Sequence, residues 1–326
     1  MADPSVRENE RDSSRPSQAD HALLLHQGDG SCVDGLRAML PPQSESAAVL
    51  AVVTPETYEL IGSAFDRFAA FADMSELGRN PARVIPVIRQ FVETHGRGRR
   101  VVVVTEQWWD ERQLARRAEL ARNEALTNLA FGGKDVDLVC LYDTRQVNPE
   151  LVADAKRTHP LLVDADGIRP NPWFVDPHEM LEQTSAPFDP APSAAETFAV
   201  EAGHLAELRA SVGERGHRAG LSSERVEDLV LAANEVATNV VSHGEGRGRL
   251  RLWTEDAWLV CEVTDRGHVE DPFVGTRNPP TEGTSGRGLW MVNQLCDFVE
   301  MRSAPGGTSV RLRFARPASA VSVSPV

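Results

Sequence analysis

Val230-Leu231-Ala232-Ala233-Asn234-Glu235-Val236-Ala237-Thr238-Asn239-Val240 repeats its apolar residues with the period of an α-helix and sets polar ones apart from them. Val230, Ala233, Val236, Ala237 and Val240 share the apolar face, while Glu235 and Asn239 stand one turn apart on another. A carboxylate and an amide oxygen so aligned can hold a hydrated divalent cation, because hard cations such as Mg²⁺ take oxygen ligands and keep several waters. Taken alone, the same spacing also describes an ordinary solvated face.

Working outward, the helix is expected to start at Leu221-Ser222-Ser223-Glu224-Arg225 and to stop at His243-Gly244. Ser222 can cap the free amides, and Arg225 stands where a capping box would place Glu or Gln. Upstream lie a strand near 195–201 and a helix over about 203–218. Downstream come strands over 248–254 and 257–264, joined at Glu255-Asp256, then a Pro/Gly/Thr-rich loop, a helix over 288–296 and two strands ending near Phe314. Segregated helices and strands of this kind predict an α+β domain, helices layered on one face of a mixed sheet.

Two further segments of this half carry possible chemistry. Val260-Cys261-Glu262-Val263-Thr264-Asp265-Arg266-Gly267 delivers Asp265 to a strand end and turns through Gly267. A carboxylate there can accept from the exocyclic amine of adenine, and the glycine lets the base approach the backbone; an Asx-turn is the plainer alternative. Thr284-Ser285-Gly286-Arg287-Gly288-Leu289-Trp290-Met291-Val292 is a glycine-paired loop opening a helix. Its amides and helix dipole favour phosphate, and Arg287 adds a charge that can reach a phosphate oxygen; a lone Gly-x-Gly also serves ordinary turns. Between these segments, 275–283 has a composition suited to a mobile lid.

Each signal is weak alone, but Glu235-x-x-x-Asn239, Asp265-x-Gly267 and Gly286-x-Gly288-Leu289 occur in one fixed order. That order resembles the N-box and the two glycine boxes of the GHKL superfamily, which includes histidine kinases, gyrase, Hsp90 and MutL. The resemblance implies a Bergerat-type ATP site with Asn239 on Mg²⁺, Glu235 as base for an incoming hydroxyl, Asp265 on adenine, and Gly286, Arg287, Gly288 and Leu289 at the phosphates. Thr308, after Gly306-Gly307, resembles the second adenine-side contact. Val269 stands where many GHKL proteins have a further glycine, which puts the detail of the adenine pocket in question. No dimerisation hairpin with a phosphoacceptor precedes the long helix, and His204 and His217 lack the acidic-Arg pattern expected beside one. The unbroken helix, Pro272 soon after Asp265-Arg266-Gly267, and Gly286-Arg287-Gly288-Leu289-Trp290-Met291-Val292 are instead similar to the SpoIIAB/RsbW type of serine kinase and anti-sigma factor.

The first half reads differently. Short β-branched runs alternate with helical stretches: 47–54 then 55–71, 100–105 then 110–130, 135–142 then 149–158. This predicts an α/β domain with a parallel sheet. Ala48-Val49-Leu50-Ala51-Val52-Val53 and Val101-Val102-Val103-Val104 are apolar throughout, as strands covered on both faces are. The periodicity fails after His159, and 164–192 is crowded with Pro, Asp and Gly. The expected organisation is a disordered 1–20, a sensory domain over 21–163, a linker over 164–193, the ATP-binding domain over 194–316 and a disordered tail over 317–326.

His21 with the following Leu-Leu-Leu-His, Gly78-Arg79-Asn80-Pro81-Ala82-Arg83, Thr105-Glu106-Gln107-Trp108-Trp109, Asn123-Glu124-Ala125-Leu126-Thr127-Asn128-Leu129-Ala130, Cys140-Leu141-Tyr142-Asp143 and Thr158-His159-Pro160 resemble the MEDS sensory domain. That resemblance implies a degenerate RecA-like fold without a phosphate loop. Glu106, Trp108, Glu124 and Tyr142 fall at strand ends or on the following helix, where open parallel sheets bind ligands. The alternative is that Trp108 and Trp109 are core and the acids solvated.

The totals bound the function. A formal net charge of -14 argues against non-specific nucleic-acid binding, and no apolar run reaches membrane-spanning length. Four cysteines, Cys32, Cys140, Cys261 and Cys296, are scattered singly, which argues against a zinc knuckle or a disulfide framework and for a reducing compartment. The N-terminus lacks the apolar core of a signal peptide, so a cytoplasmic location is expected. The resemblances together imply a transcription-regulating switch that uses ATP and Mg²⁺ to phosphorylate an anti-anti-sigma (STAS) partner, or to bind a sigma factor, under an unidentified small-molecule signal, with a homodimer as the common assembly of the type. Two alternatives stand beside it: a non-catalytic ATP-gated anti-sigma or scaffold module, and a histidine-kinase-like sensor.

Overall fold

The computed structural model describes residues 21–40, 47–62, 65, 68–107, 117–164, 166–278 and 287–317. The all-apolar runs become interior strands. In β2 (Ala48–Val53) every residue is buried, and in β4 (Val101–Glu106) the first five are. With β1 (His21–His26), β3 (Phe68–Asp73), β5 (Val136–Asp143), β6 (Leu161–Asp164) and β7 (Gly167–Pro170) they form a seven-stranded sheet of order β3-β2-β4-β5-β1-β6-β7. Every neighbouring pair is parallel except β6 with β7.

Helices cover both faces, which is why these strands show no polar alternation. Residues of α1 (Asp29–Met39) and α2 (Pro55–Gly62) pack with Ala22, Leu24, Val102 and Val139 on one side. On the other side are the short α3 (Met74–Leu77), then α4 (Val84–His95), α5 (Arg117–Phe131) and α6 (Pro149–Thr158).

Two expectations for this half need correction. The helix expected over 55–71 ends at Gly62, and Phe68–Asp73 is a strand on the sheet edge with a half-exposed, alternating burial pattern. Its alanine-rich composition conceals a period-2 signal that is only six residues long. The proline-rich stretch expected to be a plain linker contains β7 and α7 (Pro177–Gln183). Proline is accommodated because Pro177 is the first helical residue, and the Asp176 side chain accepts from the amides of His178 and Glu179. Met180 of α7 then packs on Ala121 and Ala125 of α5.

The second half contains β8 (Glu196–Glu201), α8 (Leu205–Arg218), α9 (Ser223–His243), β9 (Arg247–Glu255), β10 (Trp258–Asp265), α10 (Arg287–Leu295), β11 (Phe298–Ala304) and β12 (Gly307–Ala315). The sheet order is β11-β12-β10-β9-β8, and each pair is antiparallel, so the expected mixed sheet is replaced by a purely antiparallel one. Strand alternation divides its residues. Leu250, Leu252, Leu259, Cys261, Val263, Val310, Leu312 and Phe314 face the three long helices. Glu262, Arg311, Arg313 and Glu300 form buried ion pairs elsewhere on the sheet, with Arg311 Nε 2.7 Å from Glu262 and Arg313 Nε 2.6 Å from Glu300. The Ser222 side chain caps α9 by accepting from the Arg225 amide. Among the described residues no helix is long and apolar enough to cross a membrane, and the four cysteines are buried and form no disulfide.

Candidate functional site

The antiparallel sheet and the helices above it leave a cleft of about 910 Å³, part of it open to solvent. This is within the size range of small-molecule sites. Asn239, Asp265, Gly267, Gly288, Leu289 and Thr308 all line it, with Val236, Val240, Val274, Met301 and Val310 supplying apolar wall. The three motif segments therefore converge.

Glu235 and Asn239 are half-buried on one face of α9. Gly288 lies directly opposite: a Cβ built there would stand 3.0 Å from Glu235 Oε2 and 3.7 Å from Asn239 Nδ2. The missing side chain leaves a polar cradle between carboxylate and amide at the start of α10. Arg287, the first residue of that helix, is exposed and does not line the cleft. Gly286 and the expected lid beyond Asn278 lie outside the described residues.

Asp265 ends β10, where its Oδ1 accepts from the Gly267 amide at 2.5 Å. Burial pushes its carboxyl above the ordinary aspartate value; the Gly267 hydrogen bond opposes this, and the Glu245 charge adds to it. Gly244 and Gly267 make room for this side chain, since a Cβ on either would come within 2.7 Å of Asp265 Oδ1. Gly244 does end α9 as expected, but at φ −99° it is not in the left-handed region; Glu245 (φ 60°) and Gly246 (φ 77°) are. Glycine at 244 is explained by the approach of the carboxylate rather than by a left-handed turn.

Thr308 is the cross-strand partner of Asp265. Its hydroxyl donates to the Gly267 carbonyl at 2.8 Å and shares a hydrogen bond with Ser303 Oγ, which accepts from the Val269 amide. Val269, singled out as a departure from glycine, thus lines the cleft with its backbone tied back to β11. His243, read from the sequence only as a helix end, and His268 also line the cleft, and neither was expected there. Their adjacency to Gly244 and Gly267 was the available signal. His204 and His217 are exposed, outside the cleft.

The far end of α10 is held by the first half of the chain. Arg83 donates from Nε to the Asn293 carbonyl (2.8 Å) and from Nη2 to the carbonyls of Gln294 (2.9 Å) and Cys296 (2.6 Å). These are the oxygens a helix C-terminus leaves without intrahelical partners. The fully buried Asn80 amide donates to the Asn293 carbonyl (3.0 Å), and the Asn293 amide donates to the Gly275 carbonyl (3.0 Å) at the root of the expected lid. Asn278 donates to the Pro86 carbonyl of α4 (3.1 Å), and Arg302 pairs with Glu119 of α5 at 2.7 Å.

In the first half, Glu106 ends β4 and accepts from the Thr54 amide and from the hydroxyls of Thr54 and Thr57. Glu124 and Tyr142 are neighbours in the interior, and burial raises both above their ordinary values, Glu124 to about 7. Trp108 and Trp109 lie outside the described residues.

An antiparallel sheet under three helices, with acid and amide on one helix beside Gly288 and a strand-end aspartate lining the same cleft, is the arrangement of a GHKL-like ATPase domain. Comparison with known families agrees: residues 198–314 match the histidine kinase-like ATPase domain, and residues 20–160 match the methanogen/methylotroph DcmR sensory (MEDS) domain. Over the matched residues the chain carries a MEDS domain followed by a histidine kinase-like ATPase domain. It is 27% identical over 121 residues to the serine-protein kinase RsbW of Halalkalibacterium halodurans, an alignment covering 33% of this chain and 74% of that protein. A solved structure of RsbU and RsbW domains from Mycobacterium tuberculosis aligns at 22% identity with a TM-score of 0.30, over 39% of this chain and 34% of that one.

Proposed function

We propose that the protein is an ATP-dependent regulatory switch, a serine kinase and anti-sigma factor that phosphorylates an anti-anti-sigma (STAS) partner under control of its sensory half. The observation that carries this reading is the convergence of Asn239, Asp265, Gly267, Gly288 and Thr308 on one cleft, with Glu235 3.0 Å from where a Gly288 side chain would begin. Asp265 accepts from the adenine amine, with the Gly267–Thr308 pair beside it and Val240, Met301 and Val310 against the ring. Gly288 admits the phosphates to the positive end of the α10 dipole, with Leu289 beside them.

The cradle between Glu235 and Asn239 suits Mg²⁺, because it offers oxygen donors and space that a Cβ would fill. Asn239 would hold the ion, which when bound neutralises phosphate charge. Glu235 removes the proton from the incoming serine hydroxyl as its oxygen attacks the γ-phosphorus in line, and the bond to the β-γ bridging oxygen breaks, leaving ADP.

The contacts of Arg83 and Asn80 with α10, and of Asn278 with α4, support sensory control. They fasten the phosphate-binding helix and the lid root to the first half, so a shift there can displace the helix that faces the nucleotide.

The test is transfer of label from γ-labelled ATP with Mg²⁺ to purified STAS-domain proteins. Acid-stable serine phosphate on one of them, lost in Glu235→Gln, is expected. No transfer to any candidate, with Glu235→Gln indistinguishable from wild type, would remove the kinase claim.

A further inference from the structure

Four side chains from separate segments meet inside the first domain: His21 at the start of β1, Glu124 on α5, Cys140 in β5 and His159 just after α6. One donor atom from each lies within 4.8 Å of all the others. His21 Nε2 is 3.2 Å from Cys140 Sγ and 3.4 Å from Glu124 Oε2, and His159 Nε2 is 3.7 Å from the same carboxylate oxygen. None of the four belongs to the nucleotide cleft.

The surroundings fix which atoms face inward. The Asn128 amide donates to the Glu124 and Thr158 carbonyls, which leaves its oxygen to accept from His21 Nδ1 at 3.0 Å. His159 Nδ1 donates to the Ala155 carbonyl at 2.8 Å. Both imidazoles therefore carry their proton on Nδ1 and turn a bare Nε2 lone pair to the centre, the orientation that second-shell acceptors impose on metal-bound histidines. Thr105 donates its hydroxyl proton to Cys140 Sγ at 2.9 Å, which leaves the sulfur's remaining lone pairs for the centre.

Left to themselves these groups leave an inward lone pair unpaired. His159 is fully buried, yet its Nε2 has no hydrogen-bond partner. An acceptor buried without a donor beside a carboxyl group is unfavourable, because it has given up its water and gained no partner. A dication bound to a thiolate and a carboxylate would balance the charge and use every inward lone pair.

We infer that the sensory domain holds a buried transition-metal site of the zinc class, ligated by His21 Nε2, Glu124, Cys140 Sγ and His159 Nε2. The donor set of two nitrogens, one sulfur and one oxygen excludes Mg²⁺ and Ca²⁺, which take oxygen. Tetrahedral bonds of roughly 2.0–2.3 Å set neighbouring donors about 3.3–3.7 Å apart, and the three contacts above already lie close to that range. The ligands tie β1, β5, α5 and the end of α6 together. His21, Glu124 and Cys140 also border a pocket that Glu106 and Gln107 line, so the ion would stand at a place a small ligand can approach.

The full-length protein, stripped with a chelator and titrated with Co²⁺ alone, tests this. One equivalent should bind, with visible bands of tetrahedral strength and a near-ultraviolet thiolate-to-cobalt band, both erased by Zn²⁺. Cys140→Ser should lose the thiolate band, and His159→Ala should weaken binding at least a hundredfold. Should His159→Ala fail to fold, the wild-type spectrum and Cys140→Ser still decide. Absence of saturable uptake, a wild-type spectrum without the thiolate band, or a Cys140→Ser spectrum that keeps it would overturn the assignment.

Discussion

The nucleotide cleft and the buried histidine cluster are built in opposite ways. The cleft gathers its polar groups from three short motifs, each on one element and each ending at a solvent-open wall. The cluster takes a single residue from each of four segments, buries all but Glu124, and surrounds the two imidazoles with hydrogen bonds that fix their orientation. An open site can leave part of its polar chemistry to its ligand and to water. A closed one must be complete within the protein, so an unpartnered atom such as His159 Nε2 carries more information there.

Chemistry should be most sensitive at the cleft. Glu235→Gln is expected to lower phosphate transfer by about 10²–10⁴-fold while leaving nucleotide affinity within a few-fold, since a general base acts only in the transition state. Rate and affinity falling together would instead make Glu235 a binding group.

Gly244→Val sharpens the comparison from the structural side. The new Cβ would lie 2.6 Å from Asp265 Oδ1 and must displace the carboxylate. Loss of that charged hydrogen bond predicts nucleotide binding weaker by about 10–100-fold, checked by fluorescence titration with a labelled nucleotide. Unchanged affinity would show that Asp265 does not face the base.

Acid should weaken the nucleotide as well. Burial raises the Asp265 carboxyl, so it takes up its proton at a higher pH than an ordinary aspartate and then accepts poorly from an amine. Affinity should fall on acidification with a midpoint above the ordinary aspartate value, and in Asp265→Asn that dependence should disappear. The stability sign is opposite: a raised carboxyl favours the fold at pH below its unfolded value, and that contribution is lost as pH rises through the folded one.

The smallest effect is expected between the halves. Arg83→Ala removes three hydrogen bonds to the C-terminal carbonyls of α10. It should shift the melting temperature by a few degrees and nucleotide affinity by about two- to tenfold, read by calorimetry. No change in affinity would detach the sensory domain from the cleft.

Legibility in the sequence followed the same division. Glu235 with Asn239, and Asp265 with Gly267, are visible because helical period and strand end place them within a few residues. Thr308 came only with the family resemblance, since it reaches Asp265 through cross-strand register. His243 and His268 were not expected in the cleft, because their one signal, adjacency to Gly244 and Gly267, is no more than a turn ordinarily shows. The parallel sheet was legible in β2 and β4, where burial on both faces removes polar residues, but not in β3, an edge strand of mixed exposure. Cys140 illustrates the limit: single spacing argued against a metal framework, yet β1–β5 pairing and the return of α6 place it among two histidines and a glutamate.

The central claim, that the cleft holds an adenine nucleotide with magnesium, is tested most directly by isothermal titration calorimetry of the full-length protein with ATP and Mg²⁺, beside Asp265→Ala. The account predicts one site per chain in the wild type and affinity at least thirtyfold weaker in the variant. Absence of binding heat at any workable concentration, or equal affinity in both proteins, would contradict it.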